Sequence, residues 1–146
     1  MAQQAQATWD RWPVRWYWVE QPTLWGEGEF AWSGFLPLTG ENFNITHAVE
    51  ASGDVLKPLV ILEGIPRLYD CAHDTQYPTD PDGTRCSGSE DRIEGLGLDA
   101  VVDGSINEEN RWAFYVYNTI QELLSKGVTH YEIWNEPEIG YLSLAK

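Results

Sequence analysis

The residues best suited to chemistry lie in one short run, Tyr131-Glu132-Ile133-Trp134-Asn135-Glu136-Pro137-Glu138. Glu136 follows an aromatic and apolar stretch that reads as a strand, and Pro137 halts the strand there, because proline cannot donate to a ladder. In a parallel barrel a carboxyl group at the C-terminal end of a strand stands on the face where barrel enzymes keep their active sites. Asn135 beside it offers both a donor and an acceptor, as a sugar hydroxyl requires. Glu132 has the same parity along the strand as Glu136, so both can face one side of the sheet. A structural carboxylate with a partner is the expected role of Glu132, and Glu138 reads as a solvated loop charge.

These residues need elements to hold them. Ser105 with Glu108 fits a capping box, and Trp112, Val116, Ile120, Leu123 and Leu124 recur three and four apart, which predicts a helix stopped by Gly127. Residues 128–134 follow as a strand. Upstream, Leu59-Val60-Ile61-Leu62 is a continuous apolar run between turn residues, the pattern of a strand buried on both faces. Residues 44–53 predict a short helix closed by Gly53, and Asn44-Ile45-Thr46 fits both a glycan acceptor and, more simply, a helix start. Within residues 7–20, dense in Trp, Val and Tyr, the first half reads as a strand ended by Pro13. Residues 21–43 carry loop chemistry, and residues 67–104 form a long polar excursion. The order strand, helix, strand, helix, strand points to right-handed crossovers and a parallel sheet.

Composition narrows the ligands. The 146 residues are enough for one domain with a core, and 42% are apolar. With 9 basic and 23 acidic residues the net charge is -14, a field that repels nucleic acid and anionic membrane surfaces. A neutral sugar is compatible with it. The 8 Trp and 7 Tyr supply core packing or flat faces for sugar rings. No run reaches the roughly 18 apolar residues of a spanning helix. The N-terminal residues do not read as a secretory signal. Cys71 and Cys86 flank a loop rich in Asp, Pro and Gly, where a disulfide, favouring an extracellular setting, and two free thiols are both open. Cys71, His73 and Cys86 lack a paired metal-ligand spacing, and no cofactor or metal is expected.

Trp134-Asn135-Glu136-Pro137 resembles the Asn-Glu-Pro signature of clan A glycoside hydrolases, retaining enzymes built on a (β/α)8 barrel. Arg11-Trp12-Pro13-Val14 is similar to the second strand of that clan, and Leu59-Val60-Ile61-Leu62-Glu63-Gly64 to its third. The chain departs from the family 5 cellulases, which usually end strand three in histidine where this sequence has Glu63-Gly64-Ile65-Pro66.

The resemblance implies a partial TIM barrel of parallel strands alternating with helices, with residues 1–146 forming the N-terminal part of a catalytic domain, about strands two to four. It implies that Glu136 is the general acid/base and that Asn135 bonds the 2-hydroxyl of the sugar at the cleaved linkage. It also implies that an arginine, here Arg11, holds the nucleophile carboxylate. An ion pair of purely structural purpose is the other role open to Arg11. Trp9, Trp12 and Trp134 are candidates for the floor of a sugar subsite, or for core. The substrate class is a β-linked oligosaccharide or polysaccharide. The nucleophile belongs to strand seven in the clan, beyond this chain, so the chain alone is expected to be inactive. The competing expectation is a non-catalytic carbohydrate-binding or assembly module that pairs through open sheet edges.

Overall fold

The computed structural model describes residues 8–21, 26–36, 40–53, 56–65, 93 and 95–133. The elements in chain order are β1 (Trp9–Arg15), α1 (Trp16–Val19), β2 (Ser33–Leu36), β3 (Glu41–Asn44), α2 (Ile45–Gly53), β4 (Lys57–Glu63), β5 (Val101–Val102), β6 (Ser105–Ile106), α3 (Arg111–Leu124) and β7 (His130–Ile133). Strands β1, β4 and β7 form one parallel sheet with β4 in the middle. Its register aligns Pro13 with Ile61 and Ile61 with Glu132, and aligns Val14 with Leu62 and Leu62 with Ile133. Two consecutive β–α–β passages, through α2 and then α3, therefore build the sheet from neighbouring strands.

Strand β4 is the apolar run Val60-Ile61-Leu62, all three residues buried. Val60 and Leu62 belong to the same core cluster as Val14 of β1, Val49 of α2, and Tyr115 and Leu123 of α3. Ile61 is buried outside that cluster, at the opposite parity. The sheet thus has a face covered by the core cluster and a second face of different character.

Helix α3 buries Tyr115, Thr119 and Leu123, spaced four apart, with Trp112 and Val116 partly buried beside them. Leu124 is exposed, so the buried stripe is rotated from the purely apolar one. The reason is polar: the Tyr115 hydroxyl donates to the Val14 carbonyl at 2.6 Å, and the Thr119 hydroxyl donates back to the Tyr115 carbonyl at 2.9 Å. Both hydroxyls are satisfied, so their burial carries little penalty. Trp16 stacks on Tyr115 with ring centres 5.1 Å apart.

The helix does not open at Ser105. Ser105–Ile106 pairs antiparallel with Val101–Val102, and Asp103 (φ 52) and Gly104 (φ 80) make the turn. Positive φ at both turn positions matches the twist of the flanking strands, and Asp-Gly supplies it at least cost. This pairing takes Ser105, the first residue of the apparent capping box. Asn110 is the actual cap, its side chain accepting from the Ala113 N–H and donating to the Leu98 carbonyl. Gly127 ends the helix as expected, with Gly127 N–H bonded to Leu124 O and Val128 N–H to Leu123 O.

Two other expectations are corrected. Strand β1 runs through Pro13 to Arg15. Among the described residues β1 has a neighbour on one side only, and an edge strand tolerates a missing N–H. The stretch read as loop contains the hairpin β2–β3, which brings Leu36 and Phe43 into the core. Helix α2 begins as predicted, with the Asn44 side chain accepting from the His47 N–H at 2.9 Å.

The approach to α3 is tight. A Cβ on Gly95 (φ +71) would stand 1.8 Å from the Glu109 carbonyl oxygen, which is backbone and cannot swing aside. Gly95→Ala is expected to lose about 2 kcal/mol or more, from left-handed strain and the collision together. A urea midpoint unchanged from the parent chain would contradict this.

Candidate functional site

In a parallel sheet all C-terminal strand ends lie at one edge, so β1, β4 and β7 deliver Arg15, Glu63 and Ile133 to a common rim. Arg15 and Glu63 are register partners, and the Arg15 Nε donates to Glu63 Oε1 at 3.0 Å. The Arg15 guanidinium also lies over the Trp18 ring, 4.8 Å from its centre. Partial burial acts to lower the Arg15 pKa. The Glu63 hydrogen bond, the neighbouring Tyr17 hydroxyl and the Glu63 charge outweigh this and hold the pKa above its ordinary value. The result is a permanent cation fixed from several sides.

Tyr17 lies on α1, directly after β1. Its ring occupies the space above Gly64, the residue after β4: a Cβ there would be 2.8 Å and 2.9 Å from the ring carbons Cε1 and Cδ1. Gly64 has φ +76, a backbone that few side chains adopt. The rim therefore combines an exposed aromatic ring with a fixed, internally paired arginine and carboxylate.

Asn135 and Glu136 follow Ile133 in sequence, but Trp134, Asn135, Glu136 and Glu138 lie outside the described residues, as do Cys71, His73 and Cys86. Arg11 is described. It lies four residues before Arg15, about 13 Å further down the strand. Its Nε and Nη2 meet Glu132 Oε2 and Oε1 at 3.0 Å and 2.6 Å, a two-point pair across β4. Of the two roles open to Arg11, the observed contact is an ion pair with Glu132. The arginine at the rim is Arg15.

Trp12 has the opposite parity to Arg11 and is half-buried, with its Nε1 donating to Asp10 Oδ2 at 3.0 Å. The structure does not bring Arg11 and Trp12 to one surface. Trp9 stands at the far end of the strands, edge-on to His130 and beneath the Lys57 ammonium.

The Arg11–Glu132 pair is partly exposed, with side-chain accessibilities of 47% and 37%. Screening makes such pairs worth about 0 to 1 kcal/mol. Arg11→Met should accordingly shift the thermal midpoint by no more than a few degrees, as a melting curve in low salt can measure. A collapse of the fold would show that the pair is shielded from water.

The sequence does not single out Arg15, Tyr17 and Trp18, because a strand ending at Pro13 stops two residues short of Arg15. Carrying it to Arg15 places the arginine level with Glu63. Glu63 stands just after the apolar run of its strand in the sequence, but its pairing with Arg15 comes only from the register.

Among the described residues no cluster of three His, Cys, Asp or Glu side chains could hold a metal, and no helix is long and apolar enough to cross a membrane. A groove lined by His47, Glu50, Lys57 and Lys126 lies at the opposite end of β4 from the rim, where Lys126 is already paired with Glu50 at 2.9 Å. Comparison with family models, with curated proteins and with solved structures gives no match.

Proposed function

We propose that this chain carries the acid/base part of a retaining β-glycoside hydrolase site, built on part of a (β/α)8 barrel. The observation that supports this best is the parallel order β1-β4-β7: β7 ends at Ile133, at the rim that bears Arg15 and Glu63, and Asn135-Glu136 follow two and three residues later in the sequence. Active sites in such sheets are assembled at that end from several strands. The rim offers polar groups and aromatic rings rather than an unbalanced charge, as a neutral glycan requires.

The mechanism is double displacement. Glu136, as the neutral acid, gives its proton to the leaving glycosidic oxygen. A second carboxylate about 5 to 5.5 Å away attacks the anomeric carbon and forms a glycosyl-enzyme. Glu136, now ionised, takes a proton from the incoming water, and attack of that water releases the sugar with its configuration retained. Asn135 would hold the 2-hydroxyl. The nucleophile is assigned to a further strand beyond the three described.

The test is hydrolysis of aryl β-glycosides by this chain and by the longest open reading frame that contains it. Activity that depends on Glu136, with retention of configuration at the anomeric carbon, supports the proposal. Activity from the chain alone that persists in Glu136→Ala overturns it.

A further inference from the structure

We propose that Tyr17 is a stacking platform for a pyranose ring of a neutral β-linked oligosaccharide, with Arg15 and Glu63 bonding the hydroxyls at the ring's edge. This rests on the carbohydrate reading above and adds to it a binding subsite and a preference for uncharged sugars.

An exposed aromatic ring alone means little, since much protein surface is apolar. Tyr17 is exposed and fixed at once. Its accessibility is 41%, yet one edge fills the place of the side chain that Gly64 lacks. Trp18 meets it edge-on, with planes at 82°. A ring braced in this way loses little further freedom when a ligand covers it, so contact converts to affinity efficiently. Pyranoses with equatorial hydroxyls present flat C–H faces that suit such a ring.

The polar groups beside it are equally preset. Arg15 is held by Glu63 and Trp18 and still has 40% of its side chain accessible. A planar guanidinium offers several donors in a fixed fork, and the carboxylate offers acceptors, so vicinal hydroxyls find both. The pair is neutral as a unit. A uronate would meet a cation already neutralised by Glu63, in a chain of net charge -14. The site is thus matched to neutral rings and set against acidic ones.

The experiment is calorimetric titration of the whole chain and its variants with β-1,4-linked tetramers of glucose, xylose, mannose and mannuronate, with circular dichroism confirming each fold. At least one neutral tetramer should bind. Tyr17→Ala should weaken it by about tenfold or more, and Tyr17→Phe should keep most of the affinity. Glu63→Gln leaves Arg15 uncompensated, and binding of the mannuronate tetramer should rise by about tenfold. Equal affinity of the parent and Tyr17→Ala for a neutral tetramer would overturn the platform while leaving Glu136 chemistry intact. Failure of every neutral tetramer to bind also overturns it, and the role of Glu136 is then judged separately by azide trapping.

Discussion

Glu136→Ala, in the active protein that contains this chain, should lower kcat about 10²- to 10⁴-fold on substrates whose leaving group needs a proton. With a dinitrophenyl leaving group, which departs without help, the first displacement should be nearly unaffected. Turnover then stalls at the glycosyl-enzyme, because no base activates the water. Azide needs no base and attacks directly, so it should restore the rate and yield the β-glycosyl azide. The alkaline fall of the pH profile should vanish in the same variant, since in the parent it reports loss of the acid proton. Full activity of Glu136→Ala on an unactivated glycoside, or an α-glycosyl azide product, would remove the acid/base assignment.

The second large effect concerns Tyr115, which is fully buried, stacked on Trp16, and bonded to the β1 backbone at Val14. Tyr115→Ala should cost about 3 to 5 kcal/mol by leaving a cavity at the junction of α1, α3 and the sheet. Tyr115→Phe keeps the volume but removes the hydroxyl's bond to the Val14 carbonyl, at about 1 kcal/mol.

The same residue sets an alkaline limit. Burial raises the Tyr115 pKa above the 10.0 of the free phenol. A group whose folded pKa is raised contributes stability that is complete below its unfolded pKa and is lost as pH climbs beyond it. Urea midpoints should therefore be flat up to about pH 10 and fall above that, and Tyr115→Phe should flatten much of the fall. Partial burial raises the Tyr131 pKa too, so a smaller slope should remain. An identical alkaline slope in parent and Phe variant would show that Tyr115 is not the group responsible.

Strands β4 and β7 and helix α2 were legible because their patterns are local. Val60-Ile61-Leu62 is apolar at every position, and Asn44 caps a helix within its own turn. What escaped depended on context. Pro13 argues against a strand unless one knows that, among the described residues, β1 is paired on one side only. Val101-Val102-Asp103-Gly104-Ser105-Ile106 is a hairpin signal, but Ser105 with Glu108 imitates a helix cap, and the backbone pairing of the valines decides between them. The buried stripe of α3 was displaced because Tyr115 and Thr119 find acceptors in space that hydropathy cannot reveal. At the rim the pairing of Arg15 with Glu63 spans two strands and needs the register. The motif around Glu136 is read from the chain alone.

The position of β4 between β1 and β7 has a consequence for biosynthesis. As the nascent chain leaves the ribosome, β4 can zip onto β1 once residue 63 has emerged, but its other flank must wait for residues 130–133. At ordinary translation speeds that interval is roughly 3 to 13 s. For those seconds the most apolar segment of the sheet lacks its β7 partner, and the amides and carbonyls of that flank are open to other strands.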